Sequence, residues 1–236
     1  MLHAPRPTRN AAFDTGNLHR GSVEKPATLH TPEGTEVIQQ HLAAWERYLY
    51  SNHGLDPIVL MAAAHYQFEA IHPFYDGNGR TGRILNILLL LQEGVLDLPV
   101  LYLSGHIVDN KSEYYRFLRA VTAEGAWEEW ILFMTEAVTT SAQSTFLLID
   151  AISNLQSRTT EQVRSLGIAP AAELTELLFV QPYVRINDVV GAGLAQRQTA
   201  SAWLSQLAAA GVVEEHRAGR SKVFLNTAAL EVLTSR

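Results

Sequence analysis

Between His72 and Arg83 the chain reads His-Pro-Phe-Tyr-Asp-Gly-Asn-Gly-Arg-Thr-Gly-Arg, and no other stretch constrains the fold as much. Pro73 cannot continue a helix, and Gly77 and Gly79 free the backbone from side-chain sterics, so a helix must end before this run. Upstream, Asp56-Pro57 pairs an N-cap with a proline at the first helical position, which predicts a helix to about Ala70. Downstream, the apolar run Ile84 to Leu91 predicts a helix from near Arg80 to about Glu93, with Gly94 as its C-cap. The segment therefore reads as a loop pinned between two helices.

The rest of the first half follows the same logic. Val37, Ile38, Leu42, Trp45, Tyr48 and Leu49 recur at helical spacing from Thr35 onward. About Lys111 to Thr122, Trp127 to Leu155 and Thr160 to Leu166 also read as helices, so this half is mainly α. Residues 1 to about 34 are rich in Pro, Gly, Thr and His and predict irregular structure with a short hairpin. The most apolar run, Ile84 to Leu91, is interrupted by Asn86 and is too short to span a bilayer, so it reads as a buried helix. The first residues lack the apolar core of a signal peptide.

Gly167 to Pro170 reads as a joint. Beyond it, Leu174 to Val180, Arg185 to Val190 and Gln196 to Ala210 predict three helices, with the turn Gly191-Ala192-Gly193 between the last two. Val212 to His216 and Lys222 to Leu225 predict two strands around Ala218-Gly219-Arg220. That order is the order of a winged helix-turn-helix.

Composition narrows the function classes. With 236 residues, 47% of them hydrophobic, the chain buries a core without staples. It has no cysteine, which excludes disulfides, thiol nucleophiles and cysteine metal sites and fits a reducing cytoplasm. A net charge of −6 argues against a surface that grips nucleic acid or anionic lipid all over, though not against a local basic patch.

The His72–Arg83 run carries the chemistry. Gly77-Asn78-Gly79 before a helix lets successive N–H groups turn toward one point, and the helix N-terminus adds positive potential: an anion cradle suited to phosphate. Arg80 and Arg83 share one helix face at that same end. Two cations there oppose the helix dipole at a cost of a few tenths to about 1 kcal/mol each unless an anion offsets it, a clue to a bound polyphosphate. Asp76 is a hard oxygen ligand fit for Mg²⁺, which favours carboxylate plus substrate phosphates. His72 precedes the loop, and an imidazole, whose ordinary pKa lies near neutrality, can act as a general base. Together these point to phosphoryl or nucleotidyl transfer.

This segment resembles the Fic family motif, His-x-Phe-x-Asp/Glu-Gly-Asn-Gly-Arg-x-x-Arg, at every specified position. Ala64 to Ile71 before it, and Tyr102, Ser104, Asn110, Tyr114 and Tyr115 after it, are similar to the rest of the Fic helical core, so the resemblance covers roughly residues 16 to 140. It implies a mainly α fold: a Fic-type helical core with a short β-hairpin flap, plus a small C-terminal winged helix-turn-helix domain. The expected divisions are 1–15 irregular, 16–168 catalytic and 169–236 winged helix-turn-helix. It implies an adenylyltransferase that moves AMP from ATP to a Tyr, Thr or Ser hydroxyl of a target protein. By position, His72 would deprotonate that hydroxyl, Asp76 would bind Mg²⁺, and Gly77, Asn78 and Gly79 would form the anion hole. Arg80 and Arg83 would hold the phosphates, and Asn110 and Tyr115 would border the nucleoside. Doc-like kinase relatives carry Lys where this chain has Gly79, so Gly79 favours AMP transfer. The flap, which clamps a target by strand addition, aligns with Gly16 to Thr31.

The inhibitory pattern Ser/Thr-x-x-x-Glu-Gly/Asn of many Fic proteins is not found in these residues; the nearest, Ser157 to Glu161, is followed by Gln162. Inhibition would then come from another chain, from a segment absent here, or be lacking. The expectation is an unpaired Arg83 and a constitutively competent site. His65, Glu69 and His72 at i, i+4 and i+7 have zinc-like spacing, but scaffold hydrogen bonds are the better reading. Trp127, Trp130, Ile131 and Phe133 read as core.

From Leu174 to Arg236, six Lys/Arg against five Asp/Glu give a net charge of about +1. The second helix of the motif carries one cation, Arg197, and the wing carries Arg217, Arg220 and Lys222. The alternative function is thus a nucleotide-sensing transcription regulator that binds DNA through its C-terminal domain. A protein docked on that domain, a second copy of the chain and a separate inhibitory chain complete the partners considered; no membrane is expected.

Overall fold

The computed structural model describes residues 34–51, 54–219 and 221–234. The irregular N-terminal segment, the flap at Gly16 to Thr31 and the wing residue Arg220 lie outside these described residues. Among them are ten helices and three strands, a mainly helical architecture. They divide into two compact units, with the boundary between Gln143 and Ser144.

The first unit is built on α1 (Thr35–Leu49), α2 (Pro57–Ile71), α3 (Asn78–Gln92), α4 (Leu103–Asp109) and α5 (Lys111–Glu124), with the first part of α6 (Trp127–Ser165). Helix α2 is apolar nearly all round, which is the mark of a central helix, and nine of its residues are buried. It starts as its sequence dictates: the Asp56 carboxylate accepts the Ile58 N–H at 2.8 Å, and Pro57 follows the cap. The core joins Met61, Leu90, Leu118, Trp130 and Met134. The Trp130 indole N–H, which must find an acceptor once buried, donates to the Ala62 carbonyl at 2.8 Å and ties α6 to α2. Helix α3 ends as Gly94 predicts: at φ 70° Gly94 donates to Leu91 O, and Val95 donates to Leu90 O.

The second unit contains α7 (Ala171–Val180), β1 (Tyr183–Val184), α8 (Ile186–Gly191), α9 (Arg197–Ala209), β2 (Glu214–Ala218), β3 (Ser221–Leu225) and α10 (Thr227–Thr234). The sheet is antiparallel in the order β1-β3-β2, with Val184 opposite Phe224 and Phe224 opposite Glu215. Its core is aliphatic around Phe224, with Leu174, Leu178, Val189, Leu204 and Leu207.

Four elements depart from expectation, among them α10, which spans Thr227–Thr234 beyond the last strand expected. The two helices expected over 127–166 are one, Trp127–Ser165. The polar stretch that suggested a break contains no Gly or Pro, and its hydroxyls fold back on the ladder, Ser157 Oγ to Ser153 O and Thr160 Oγ1 to Gln156 O. Helix α4 spans seven residues, too few to show a period. Strand β1 has two residues and exists only through its pairing with β3.

Candidate active site

Helix α2 ends on His72, which sits in the left-handed region at φ 51°, ψ 56°. It is the sole non-glycine residue with positive φ among the described residues. That conformation costs on the order of 1 kcal/mol and persists where the surroundings enforce it. Its N–H still closes the last helical turn on Phe68 O, at 3.0 Å. The strain turns the chain sharply out of α2 and into the loop.

The loop is held by Asn78. Its buried amide Nδ2 donates to Phe74 O at 2.7 Å, while its Oδ1 accepts the Phe74 N–H at 2.9 Å. This two-way clamp draws the start of α3 back to Asn78, two residues before the sequence suggests. Gly77, at φ 87°, is the N-cap, a conformation that L side chains rarely adopt. The Thr81 N–H finds the Gly77 carbonyl at 2.9 Å, so the N–H groups of Asn78, Gly79 and Arg80 precede the helical ladder. The Gly77 N–H, expected in the anion cradle, donates instead to its neighbour's carboxylate, Asp76 Oδ1, at 2.7 Å.

Asp76 Oδ2 accepts from Arg80 Nη2 at 3.2 Å, an ion pair with both side chains more than 70% exposed. Arg83 forms no ion pair among the described residues. Its Nε donates to Ser104 Oγ on α4 at 2.9 Å. Arg80 and Arg83 border one groove of about 300 Å³, together with Ile84, Ile87, Tyr102 and Ser104. Asn110 and Tyr115 are not among its bordering residues. Asn110 sits between α4 and α5, where its Nδ2 donates to His106 O. Tyr115 packs edge-on against Tyr114, with centroids 5.2 Å apart. Burial and then the Glu69 charge hold the Tyr115 hydroxyl above its usual range, with Arg83 opposing.

Behind the arginines lies a polar cluster that the sequence reading left as scaffold. His65 Nε2 and Tyr114 O–H form a 2.9 Å hydrogen bond, and the imidazole stacks on Trp130. Burial, reinforced by Arg83, pushes the imidazole down to about 4, so it is neutral at pH 7. Burial also pushes the Glu69 carboxyl up to about 7, against the pull of Arg83. The signal that marks this cluster is the i, i+4 pair His65/Glu69 facing glycines at i, i+3 on the next helix, Gly79 and Gly82.

Among the described residues no three His, Asp or Glu side chains converge as a metal cage. Asp76 by itself fits a different case. An exposed carboxylate beside an anion cradle suits an ion that arrives with phosphate oxygens and keeps most of its waters. No described helix is long and apolar enough to cross a membrane.

Residues 8–90 match the Fic/DOC family, and residues 155–229 match the C-terminal domain of SoFic-like protein adenylyltransferases. The Fic/DOC match contains the whole His72–Arg83 run, and the SoFic-like C-terminal match follows it. Relatives include "Protein adenylyltransferase Fic" of Drosophila melanogaster and of Drosophila sechellia, each 36% identical over 109 residues, or 45% of this chain and 21% of theirs. The chain thus spans about a fifth of the length of these curated relatives. A Fic family protein from Desulfovibrio desulfuricans G20 aligns over 83% of this chain and 56% of that one, at 24% identity and a TM-score of 0.46.

Proposed function

We propose that this chain is a protein adenylyltransferase that moves AMP from ATP to a Tyr, Thr or Ser hydroxyl of a target protein. One observation carries the reading. Two arginines border a single groove at a helix N-terminus whose first three N–H groups lie outside the ladder, one loop away from a conformationally enforced histidine. Relatives named protein adenylyltransferase, matched over part of their length, support it.

In this reading the target hydroxyl oxygen attacks the α-phosphorus, the bond to the bridging oxygen breaks, and pyrophosphate leaves. His72 accepts the hydroxyl proton. The N–H groups of Asn78, Gly79 and Arg80 face the charge that develops on phosphate oxygens, and Arg80 and Arg83 neutralise the departing pyrophosphate. Ser104 fixes the Arg83 guanidinium, so little reorganisation remains at the moment of reaction. Phosphate entry must displace the exposed Arg80–Asp76 pair, which is worth at most about 1 kcal/mol. Asp76 would then hold Mg²⁺ brought by the nucleotide, which supplies charge neutralisation. Gly79 leaves room that a lysine would fill. Asn110 and Tyr115 remain candidates for the nucleoside. We assign residues 16–168 to the catalytic domain and 169–236 to a winged helix-turn-helix, in a cytoplasmic protein.

The test is intact mass after incubation with Mg-ATP, alone and with cell lysate, alongside ATP labelled at the α- or the γ-phosphate. Label from the α position that disappears in His72→Ala supports the reading; label from the γ position replaces it with a kinase. The regulator reading predicts salt-dependent, sequence-specific DNA binding without transfer. Two cations it would use are engaged elsewhere, Arg197 with Asn187 Oδ1 at 2.8 Å and Lys222 with Glu215 at 2.8 Å, which favours the enzyme.

A further inference from the structure

Where α2 crosses α3, Gly79 and Gly82 bring the helices close enough that polar side chains, not methyl groups, fill the space between them. A Cβ at Gly79 would lie 3.2 Å from Arg83 Nη1 and 3.6 Å from Glu69 Oε1. One at Gly82 would lie 3.1 Å from Glu69 Oε1 and 3.1 Å from His65 Nδ1. Glu69 is only 8% exposed. Its Oε1 is buried without a hydrogen-bond partner. A buried carboxylate oxygen with no donor is costly, and it persists where something other than stability requires it. The Arg83 guanidinium is the nearest opposite charge. It is tethered to Ser104 through Nε and lies over Gly79 on the same side as the Glu69 carboxylate, with no ion pair between them.

Resting on the adenylyltransferase reading, we propose that Glu69 is a positioning residue for Arg83, and that nucleotide binding in the groove is coupled to proton uptake at Glu69. Without nucleotide, the carboxylate balances the guanidinium across Gly79. When phosphates arrive, Arg83 serves two anions in a desolvated space, and protonation of Glu69 removes the competing one. The proton comes from solvent, adds to a carboxylate oxygen, and no other bond changes. Other charged groups around Glu69 do not substitute for it. On α2 itself, His65 is neutral near pH 7. Tyr114 and Tyr115 on α5 are held protonated by burial. Glu46 on α1 is exposed, at the mouth of the neighbouring cavity that His65 borders. The Glu69 carboxyl, raised to about 7, is poised to take up a proton at neutral pH.

The experiment is calorimetry of Mg-ATP binding to the full chain at pH 7 in buffers of different ionisation enthalpy. Wild type is expected to take up about half a proton per nucleotide, and Glu69→Gln none. Glu69→Gln, as a permanent mimic of the protonated state, is expected to bind nucleotide about three- to tenfold more tightly at pH 8 and equally at pH 6. Its KM for ATP should lose its pH dependence, and Glu69→Asp should restore it in part. A separate reading needs no nucleotide: the Arg83 Nε–H resonance of the free protein should shift with a midpoint near 7 in wild type and not in Glu69→Gln. If wild type binds no nucleotide while that resonance still titrates, the adenylyltransferase reading fails and the Glu69–Arg83 coupling stands. If nucleotide binds with equal proton uptake in both proteins, or the resonance is flat in wild type, the proposal is overturned.

Discussion

The two units bury their polar groups in opposite ways. In the second, Thr175 Oγ1 donates to Ala171 O, and Asn226 donates to Leu178 O while its Oδ1 caps the Ala229 N–H. Both side chains serve the backbone. In the first, Asn78 does the same for the loop between α2 and α3, but Glu69 leaves a buried carboxylate oxygen without a partner. That oxygen lies in the unit that also holds the strained His72. The contrast separates a core whose buried amide serves the backbone from one that keeps an unsatisfied carboxylate beside the proposed site.

The largest test of that division is loss of function without loss of fold. His72→Ala should lower AMP transfer by about 10²–10⁴ in a label-incorporation assay, since a general base contributes that much. Its thermal midpoint should move little, because alanine carries the same Cβ strain at φ 51° that histidine already bears. Leu204→Ala is its mirror in the second unit. Leu204 is fully buried, so truncation should cost about 2–5 kcal/mol by denaturant unfolding. The remaining folded fraction should transfer AMP at the wild-type rate. A His72→Ala protein that unfolds, or a Leu204→Ala protein with no transfer in its folded fraction, would break the comparison.

Much of this was legible in residue order. The cap at Asp56-Pro57 and the Gly94 stop fix α2 and α3 because each is local chemistry, and the loop between them carries its own glycines. What escaped notice depends on contacts made at a distance. Strand β1 is held only by β3, forty residues on. The Asn78 clamp on Phe74 is invisible until the loop closes, so the helix start was read two residues late. His65 and Glu69 were read as hydrogen-bonded scaffold. That is half right, for Nε2 meets Tyr114 while the Glu69 oxygen meets nothing, and spacing cannot say which atom finds a donor.

The next effect concerns pH. Glu69 has a folded pKa raised from 4.5 to about 7, so its stabilising share is complete below 4.5 and is lost as pH rises through 7. His65 has a folded pKa lowered from 6.5 to about 4, so its share is complete above 6.5 and is lost as pH falls through 4. Between 4.5 and 6.5 the two slopes oppose each other, and the wild-type unit should show a nearly flat stability profile there. Glu69→Gln removes one slope. Its stability should then climb from pH 4 to 6.5, by on the order of 3 kcal/mol in urea titrations. A flat profile in the variant would mean that the buried imidazole does not titrate as its surroundings dictate.

The smallest effect sets one glycine in each unit against the other. Gly82 and Gly191 both lie in helices with ordinary helical φ, so alanine at either should gain up to about 1 kcal/mol of helix propensity. At Gly191 nothing lies within 4 Å of the new methyl group, and that gain should appear as a slightly higher thermal midpoint. At Gly82 the methyl would meet His65 Cε1 at 3.0 Å and Glu69 Oε1 at 3.1 Å. The imidazole cannot step aside, because Tyr114 holds one edge and Trp130 its face. Overpacking of about 1–3 kcal/mol should outweigh the propensity gain, leaving Gly82→Ala destabilised by about 1 kcal/mol. Because the displaced carboxylate is the group proposed to position Arg83, the same variant should also shift the pH dependence of nucleotide binding, which Gly191→Ala should leave alone. Equal and favourable effects at both glycines would mean that the α2–α3 crossing has slack, and that its unpartnered carboxylate oxygen is an accident of loose packing.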